Sequence, residues 1–317
     1  MKVVSAIKRV PEDIKARLKN NFEQVEFFFC HGMKEAKALI AEADVLITYG
    51  EDVTPEMIGE AVNLKWIMVL SAGMDQMPFE EIEKRNIVVT NVRGIHRKQM
   101  AEYAISMLLQ VYRQAKTMIE SEHNHEWNRR ISIREINGQT MVLLGTGAIA
   151  QETARIAKAF RIKTIGVSKS GKAKDYFDET LPVDRIEEAL PKADLVVAVL
   201  PSTRETSYLL KEEHFQLMPD HAVFLNMGRG DLVASHVILK AVRNHQIGHA
   251  VLDVFEEEPL PEDHTFWGEK NITVTPHFSG KSPQYIPRGF DLFEQNLQSF
   301  LNRDGEMKNL IDPKRRY

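Results

Sequence analysis

Four residues suited to acid–base chemistry and anion binding follow short apolar runs in the second half of the chain: Arg229, Asp253, Glu258 and His277. The planar guanidinium of an arginine binds a carboxylate through two parallel hydrogen bonds and can polarise a carbonyl. A histidine exchanges protons near neutral pH, and a neighbouring glutamate favours its charged form and orients its ring. Each residue alone fits an ordinary turn or a solvated surface, but together they form a complete set for hydride transfer to a 2-keto acid.

A glycine-rich turn upstream supplies a site for the nucleotide that such a transfer requires. The turn has the G-x-G-x-x-G/A pattern, lies between an apolar run and a helical segment, and consists of Gly145, Thr146, Gly147, Ala148, Ile149 and Ala150. The first glycine permits the tight turn, the second lets the backbone approach a pyrophosphate, and the small third residue allows close helix–strand packing. Because the helix N-terminus also offers unpaired N–H groups to phosphates, the sequence predicts a dinucleotide site here.

The residues that follow the second strand of this unit bear on the choice of cofactor. An acidic residue that binds the ribose 2′-hydroxyl of NAD is expected about 20 residues after the glycine turn. No carboxylate stands there; Ser168, Lys169 and Ser170 do instead. A hydroxyl and two lysines, Lys169 and Lys172, suit a 2′-phosphate, so we expect NADP(H) to be preferred over NAD(H). The alternative is an exposed polar turn with no role in selectivity.

The elements that must position these residues are strands and helices in alternation. The second half of the chain carries predicted strands at Met141–Leu144, Thr164–Ser168, Leu195–Leu200, Ala222–Asn226, His249–Asp253 and Ile272–Thr275. Most are continuous apolar runs, which is typical of parallel strands buried on both faces. Ligands bind beyond the carboxyl ends of such strands, so the four chemical residues are expected along one rim beside the cofactor.

The first 96 residues repeat the alternation. Strands are predicted at Val3–Ile7, Val25–Phe29, Val45–Thr48, Trp66–Leu70 and Ile87–Thr90. A long helix from about Gln99 to Ile119 follows, apolar on more than one face, and a last helix is expected at Arg288–Leu301. A chain of 317 residues suits two domains. We therefore predict an α/β protein with two Rossmann-like domains, doubly wound parallel sheets and a cleft between them.

Composition narrows the class of protein further. A net charge of −4 disfavours nucleic acid as a partner. The N-terminal apolar run is too short for a signal peptide, and no apolar run is long enough to span a membrane. Cys30 is the only cysteine, which fits a reducing compartment, so we expect a cytoplasmic protein. His123 and His125 could supply two metal ligands, but no third ligand is evident in the sequence, and no metal is expected.

At the chemical residues the sequence resembles the D-isomer-specific 2-hydroxyacid dehydrogenase family. The segment around Arg229 is similar to the one carrying the family's substrate-binding arginine, and Glu258 and His277 match its catalytic pair. The resemblance implies that Ala72 and Gly73 hold the substrate carboxylate through backbone amides. It also implies further cofactor contacts from Met100, Leu200, Pro201, Thr206, Met227 and Asp253.

The same resemblance implies how the chain divides into domains and that it forms an oligomer. Residues 1–96 and 283–317 would form the substrate domain and residues 97–282 the dinucleotide domain, in a homodimer whose clefts close on binding. Within the family, the sequence resembles the subgroup of phosphoglycerate dehydrogenase-like proteins and glyoxylate/hydroxypyruvate reductases. The alternatives are a phosphoglycerate dehydrogenase, a formate dehydrogenase, which Glu258 disfavours, and a non-catalytic NAD(P) sensor. Arg93, His96, Tyr285 and Arg288 are candidates to contact the substrate side chain, and nothing in the sequence places them.

Overall fold

A computed structural model of the chain describes residues 1–71, 74, 76–302 and 306–312. The chain divides into two compact units, the first comprising Met1–Ile95 and Ser282–Tyr317 and the second His96–Lys281. Both units are α/β and each is built on a parallel sheet, as the sequence predicted. In the described part of the chain, no helix is long and apolar enough to cross a membrane.

The first unit contains a five-stranded parallel sheet in the order β2-β1-β3-β4-β5. Its strands are β1 (Lys2–Ser5), β2 (Glu26–Phe29), β3 (Val45–Thr48), β4 (Trp66–Val69) and β5 (Val88–Asn91). Its helices are α1 (Glu12–Asn21), α2 (Met33–Ile40), α3 (Pro55–Glu60), α4 (Phe79–Lys84) and α11 (Tyr285–Asn302).

The C-terminal segment is integral to this first sheet. Trp66, fully buried on the central strand β4, stacks against Phe293 of α11 with ring centroids 5.2 Å apart. The Trp66 indole also donates to Thr90 Oγ1 on β5 at 2.9 Å. Beyond α11, the Ile311 amide donates to the Val89 carbonyl at 2.9 Å, so the end of the described chain lies along the edge strand.

The second unit contains a seven-stranded parallel sheet in the order β12-β11-β10-β9-β6-β7-β8. Its strands are β6 (Thr140–Leu144), β7 (Lys163–Ser168), β8 (Glu179–Pro182), β9 (Leu195–Ala198), β10 (Val223–Asn226), β11 (His249–Leu252) and β12 (Ile272–Val274). Its helices are α5 (Arg97–Tyr112), α6 (Ala115–His123), α7 (Ala148–Ala157), α8 (Ile186–Ala189), α9 (Glu212–Leu217) and α10 (Ser235–Arg243).

One expectation for this unit was wrong, and one strand was not predicted. The helix predicted from Gln99 to Ile119 is two helices, because Gln114 adopts a left-handed backbone (φ 55°) between α5 and α6. The edge strand β8 was not predicted, since its sequence, Glu179-Thr180-Leu181-Pro182, has no apolar run. It pairs with β7 alone, and an edge position tolerates the proline.

Candidate active site

Five loops of the second unit begin at the same edge of its sheet. The sheet order reverses between β6 and β9, the switch point at which open α/β sheets bind ligands. The first residue after each of three strands still bonds to the strand beside it: Met227 to Ala198, Asp253 to Asn226 and Thr275 to Leu252. The loops after β9, β10, β11 and β12 therefore start at one level, next to the glycine turn after β6.

The glycine turn has the shape that a pyrophosphate requires. Gly145 lies in the left-handed region (φ +107°), and a β-carbon there would sit 3.2 Å from Val199 Cγ2 of the neighbouring loop. A β-carbon at Gly147, by contrast, would meet nothing within 4 Å. Gly147 is also the N-cap of α7 and offers no side-chain hydrogen bond to its amides. Open space in front of a helix N-terminus fits a dinucleotide phosphate, so the residues present suit the cofactor.

The residues predicted to bind the ribose end lie at the tip of β7. Ser168 ends the strand, and the exposed Lys169 lies 3.4 Å from the Glu205 carboxylate, from Nζ to Oε1. Glu205 belongs to the loop after β9, which Thr206 folds back by donating its hydroxyl to the Pro201 carbonyl at 2.6 Å. Lys169 thus lies at the strand end where a 2′-phosphate was predicted, and the Glu205 carboxylate lies beside it.

Arg229 is positioned by a buried asparagine at the end of β10. The Asn226 side chain donates to the Arg229 carbonyl at 2.9 Å and accepts from the Gly228 amide at 3.1 Å. These two hydrogen bonds fix the backbone around Arg229. The Arg229 side chain is exposed, and its Nη1 donates to the Gly228 carbonyl. A β-carbon at Gly230 would lie 1.9 Å from the Phe255 carbonyl, so the loops after β10 and β11 are in direct contact.

Glu258 and His277 form a hydrogen-bonded pair. Nδ1 of His277 lies 2.8 Å from Oε2 of Glu258, and Oε1 of the same carboxylate accepts from the Phe255 amide at 3.0 Å. Both oxygens of the glutamate are therefore engaged, which fixes its direction. With Nδ1 bound to the carboxylate, Nε2 is the nitrogen of His277 that can exchange a proton with a substrate.

Asp253 is fully buried beneath the loop that carries His277. One carboxylate oxygen accepts from the Phe278 amide at 2.7 Å and from the Thr275 hydroxyl at 2.5 Å, and the other accepts from the Ser279 amide at 2.9 Å. Tyr103 of α5 bonds to the Thr275 hydroxyl at 2.7 Å. Burial raises the pKa of Tyr103 far above its usual value, so it stays protonated. The predicted contact of Asp253 with the cofactor stays a prediction, and the structure gives this carboxylate a second task in shaping the loop.

The remaining sequence predictions divide into three groups. Met227 is buried at the start of the Arg229 loop, while Met100 and Ile149 are partly buried against the core of the second unit. Ala72 and Gly73, predicted to hold the substrate carboxylate, lie outside the described residues. Sequence reasoning missed the supporting roles of Gln99 and Tyr103, because no spacing rule links a helix to a loop more than 170 positions away. It also missed the local hydrogen bonds by which Asn226 positions the Arg229 loop.

Comparison with known proteins agrees with this geometry. Residues 105–279 match the NAD-binding domain of the D-isomer specific 2-hydroxyacid dehydrogenases. A glyoxylate reductase of Aeropyrum pernix is 30% identical over 271 residues, which cover 82% of this chain and 80% of the relative. The chain therefore belongs to the D-isomer specific 2-hydroxyacid dehydrogenase family and is an NAD(P)-dependent 2-hydroxyacid dehydrogenase.

Two solved structures resemble the whole chain. A family member from Aeromonas salmonicida is 30% identical with a TM-score of 0.83, and the match covers 98% of each chain. The NADPH-dependent glyoxylate/hydroxypyruvate reductase of Sinorhizobium meliloti, solved with NADP and sulfate, is 25% identical with a TM-score of 0.80. That match covers 100% of this chain and 99% of the other.

Proposed function

We propose that this enzyme reduces glyoxylate or hydroxypyruvate to the corresponding D-2-hydroxy acid and prefers NADPH. The observation that carries the reduction is the hydrogen bond between His277 Nδ1 and Glu258 Oε2, which supplies an oriented proton donor. The choice of substrate is supported by the glyoxylate reductase of A. pernix and by the glyoxylate/hydroxypyruvate reductase of S. meliloti.

Each of three side chains has a task in this reaction. Arg229 binds the substrate carboxylate with its guanidinium fork and polarises the keto group. A nicotinamide bound beside these side chains would supply the hydride for the keto carbon. His277 gives the proton on Nε2 to the keto oxygen, and Glu258 stabilises the imidazolium before the transfer. In the oxidative direction His277 takes the proton back.

The preference for NADPH rests on the tip of β7. Lys169 offers a positive charge, and Ser168 and Ser170 offer hydroxyls, with no carboxylate to bind a ribose 2′-hydroxyl or to repel a 2′-phosphate from the same strand end. The structure of the S. meliloti reductase contains NADP. Glu205 works against the preference because it neutralises part of the lysine charge.

A panel of 2-keto acids assayed with NADPH and with NADH tests this proposal. Glyoxylate, hydroxypyruvate, pyruvate, a longer keto acid and phosphohydroxypyruvate cover the alternatives. We expect the highest kcat/KM for glyoxylate or hydroxypyruvate with NADPH, and the D configuration in the glycerate product. A preference for phosphohydroxypyruvate would favour phosphoglycerate dehydrogenase activity. If neither NADPH nor NADH is oxidised with any of these acids, the proposed function is overturned.

We further propose a cytoplasmic homodimer in which residues 1–96 and 283–317 bind the substrate and residues 97–282 bind the dinucleotide. Exposed apolar side chains on and after α6 support the dimer: Trp127 is 92% exposed, and Ile119 and Met118 are also exposed. A second copy would cover this surface. Sedimentation equilibrium of the wild type and of Trp127→Ser tests it, since a monomeric wild type would contradict the dimer.

A further inference from the structure

The loop that carries His277 is held by three consecutive backbone groups. His277 itself has a left-handed backbone with φ 48°, a conformation that costs a non-glycine residue about 1–2 kcal/mol. Such a conformation persists only when the surroundings enforce it. The next two amides, those of Phe278 and Ser279, donate to the buried Asp253 carboxylate. The third group is the carbonyl of Gly280.

Two side chains from the start of α5 hold the Gly280 carbonyl. Nε2 of Gln99 donates to it at 3.3 Å, and the His96 ring also bonds to the Gly280 backbone. Nδ1 of His96 lies 3.5 Å from the Gln99 amide, and a β-carbon placed on Gly280 would be 3.4 Å from that same nitrogen. The glycine therefore fits directly against the imidazole.

The charge state of His96 suits this anchoring role. Burial lowers the pKa of His96 below its usual value, and the positive charge of Arg229 adds to that effect, while the bond to Gly280 opposes it. The imidazole is thus neutral at neutral pH and does not place a second cation beside the guanidinium that binds the substrate carboxylate. Its bond to the Gly280 backbone connects it to the loop that carries His277.

We propose that His96 and Gln99 are positioning residues for the proton donor: they anchor the Gly280 end of the loop and so keep His277 in its left-handed conformation facing Glu258. This inference rests on the proposed function, because it assigns a purpose to the direction of the His277 ring. It predicts that His96 and Gln99 affect catalysis through His277 and make no separate contribution to substrate binding.

A double-mutant cycle with His277 tests this coupling. Gln99→Met and His96→Leu each remove a hydrogen bond to Gly280. Each variant should lower kcat for keto-acid reduction about five- to tenfold, the effect of one hydrogen bond, with KM for the keto acid nearly unchanged. In a His277→Asn background, measured in single turnovers with enzyme in excess, the same changes should have no further effect. His96→Gln, which keeps a donor, should restore most of the rate.

The controls separate the possible failures. Gln110→Met changes an exposed glutamine on the same helix and should behave as wild type. NADPH affinity, measured by fluorescence titration, should be unchanged in every variant. Equal losses with and without His277, or a rise in KM for the keto acid alone, would show that His96 acts on the substrate directly and would overturn the inference. A wild type inactive with every keto acid would instead overturn the proposed function.

Discussion

The carboxylate of Glu258 bonds to the His277 ring through Oε2 and to the Phe255 amide through Oε1. The second bond matters because a freely rotating glutamate would not select one orientation of the ring. With both oxygens engaged, the imidazole has a defined Nδ1 partner. In the reaction proposed for this site, the proton that leaves for the substrate would therefore be the one on Nε2.

Replacing His277 with asparagine should remove the proton donor without disturbing the backbone. Asparagine tolerates the left-handed conformation that His277 adopts, so the loop should persist. We expect kcat for glyoxylate reduction to fall by about 10²-fold or more. His245→Asn is the matched control, since His245 is exposed and also has a positive φ of 53°. Steady-state kinetics measure kcat for the two variants. An equal kcat in His277→Asn and His245→Asn would show that His277 is not the proton donor.

Replacing Arg229 with lysine should keep the charge but lose the planar fork. A charge-assisted hydrogen bond contributes more than a neutral one, so KM for the keto acid should rise about ten- to hundredfold, with a smaller fall in kcat. Arg243→Lys, at a surface ion pair with Glu269, serves as the control. An unchanged KM in Arg229→Lys would mean that another group binds the carboxylate.

Opposite changes at Lys169 and Glu205 should move cofactor preference in opposite directions. Lys169→Ala should lower kcat/KM for NADPH about two- to fivefold, the range of an exposed ion pair, and leave NADH nearly unaffected. Glu205→Gln frees the lysine from its counter-charge and should raise kcat/KM for NADPH. Both effects should shrink at high ionic strength. Parallel changes with the two cofactors would argue against a role in selectivity.

The stability of the second unit should decline in mild acid because of His249. Burial lowers the pKa of His249 to about 4 from its ordinary value of 6.5, with the charges of Lys116 and Arg134 adding to the shift. Between these values the unfolded chain binds a proton that the folded chain does not, so the free energy of unfolding falls as pH drops from about 6.5 to about 4. His249→Gln should remove at most about 3 kcal/mol of that dependence. Urea denaturation at pH 7.5 and 4.5 measures it, with His236→Gln as control.

Gly230 should not tolerate a side chain. An alanine β-carbon there would overlap the Phe255 carbonyl, which is backbone and cannot rotate away. We expect Gly230→Ala to lose at least about 2 kcal/mol of stability and to displace the Arg229 loop. Gly268→Ala, whose β-carbon would meet no atom within 4 Å, should stay within about 0.5 kcal/mol of wild type. Thermal melting compares them, and equal melting temperatures would contradict the close packing.

The sequence predicted most of the fold because buried parallel strands are continuous apolar runs. β3 and β9, for example, are buried along their whole length and were recognisable as apolar runs in the sequence. β8 was not predicted because an edge strand with one neighbour needs no apolar run. The break at Gln114 was not predicted because neither glycine nor proline marks its left-handed turn.

The rule that ligands bind beyond strand ends was enough to bring Glu258 and His277 to one rim, where the structure pairs them. It could not predict the hydrogen bonds that hold the loop carrying His277 from behind. Asp253 and Gln99 act on the loop through backbone groups, and a bond to a backbone amide or carbonyl leaves no pattern in the partner's sequence. The roles assigned to the individual cofactor-binding residues stay predictions.

The nucleotide turn and the Glu258–His277 pair both lie within the single uninterrupted stretch His96–Lys281, together with the side chains that orient the pair. One continuous segment of the chain therefore contains both the turn proposed to hold the nucleotide and the hydrogen bond that orients the His277 ring.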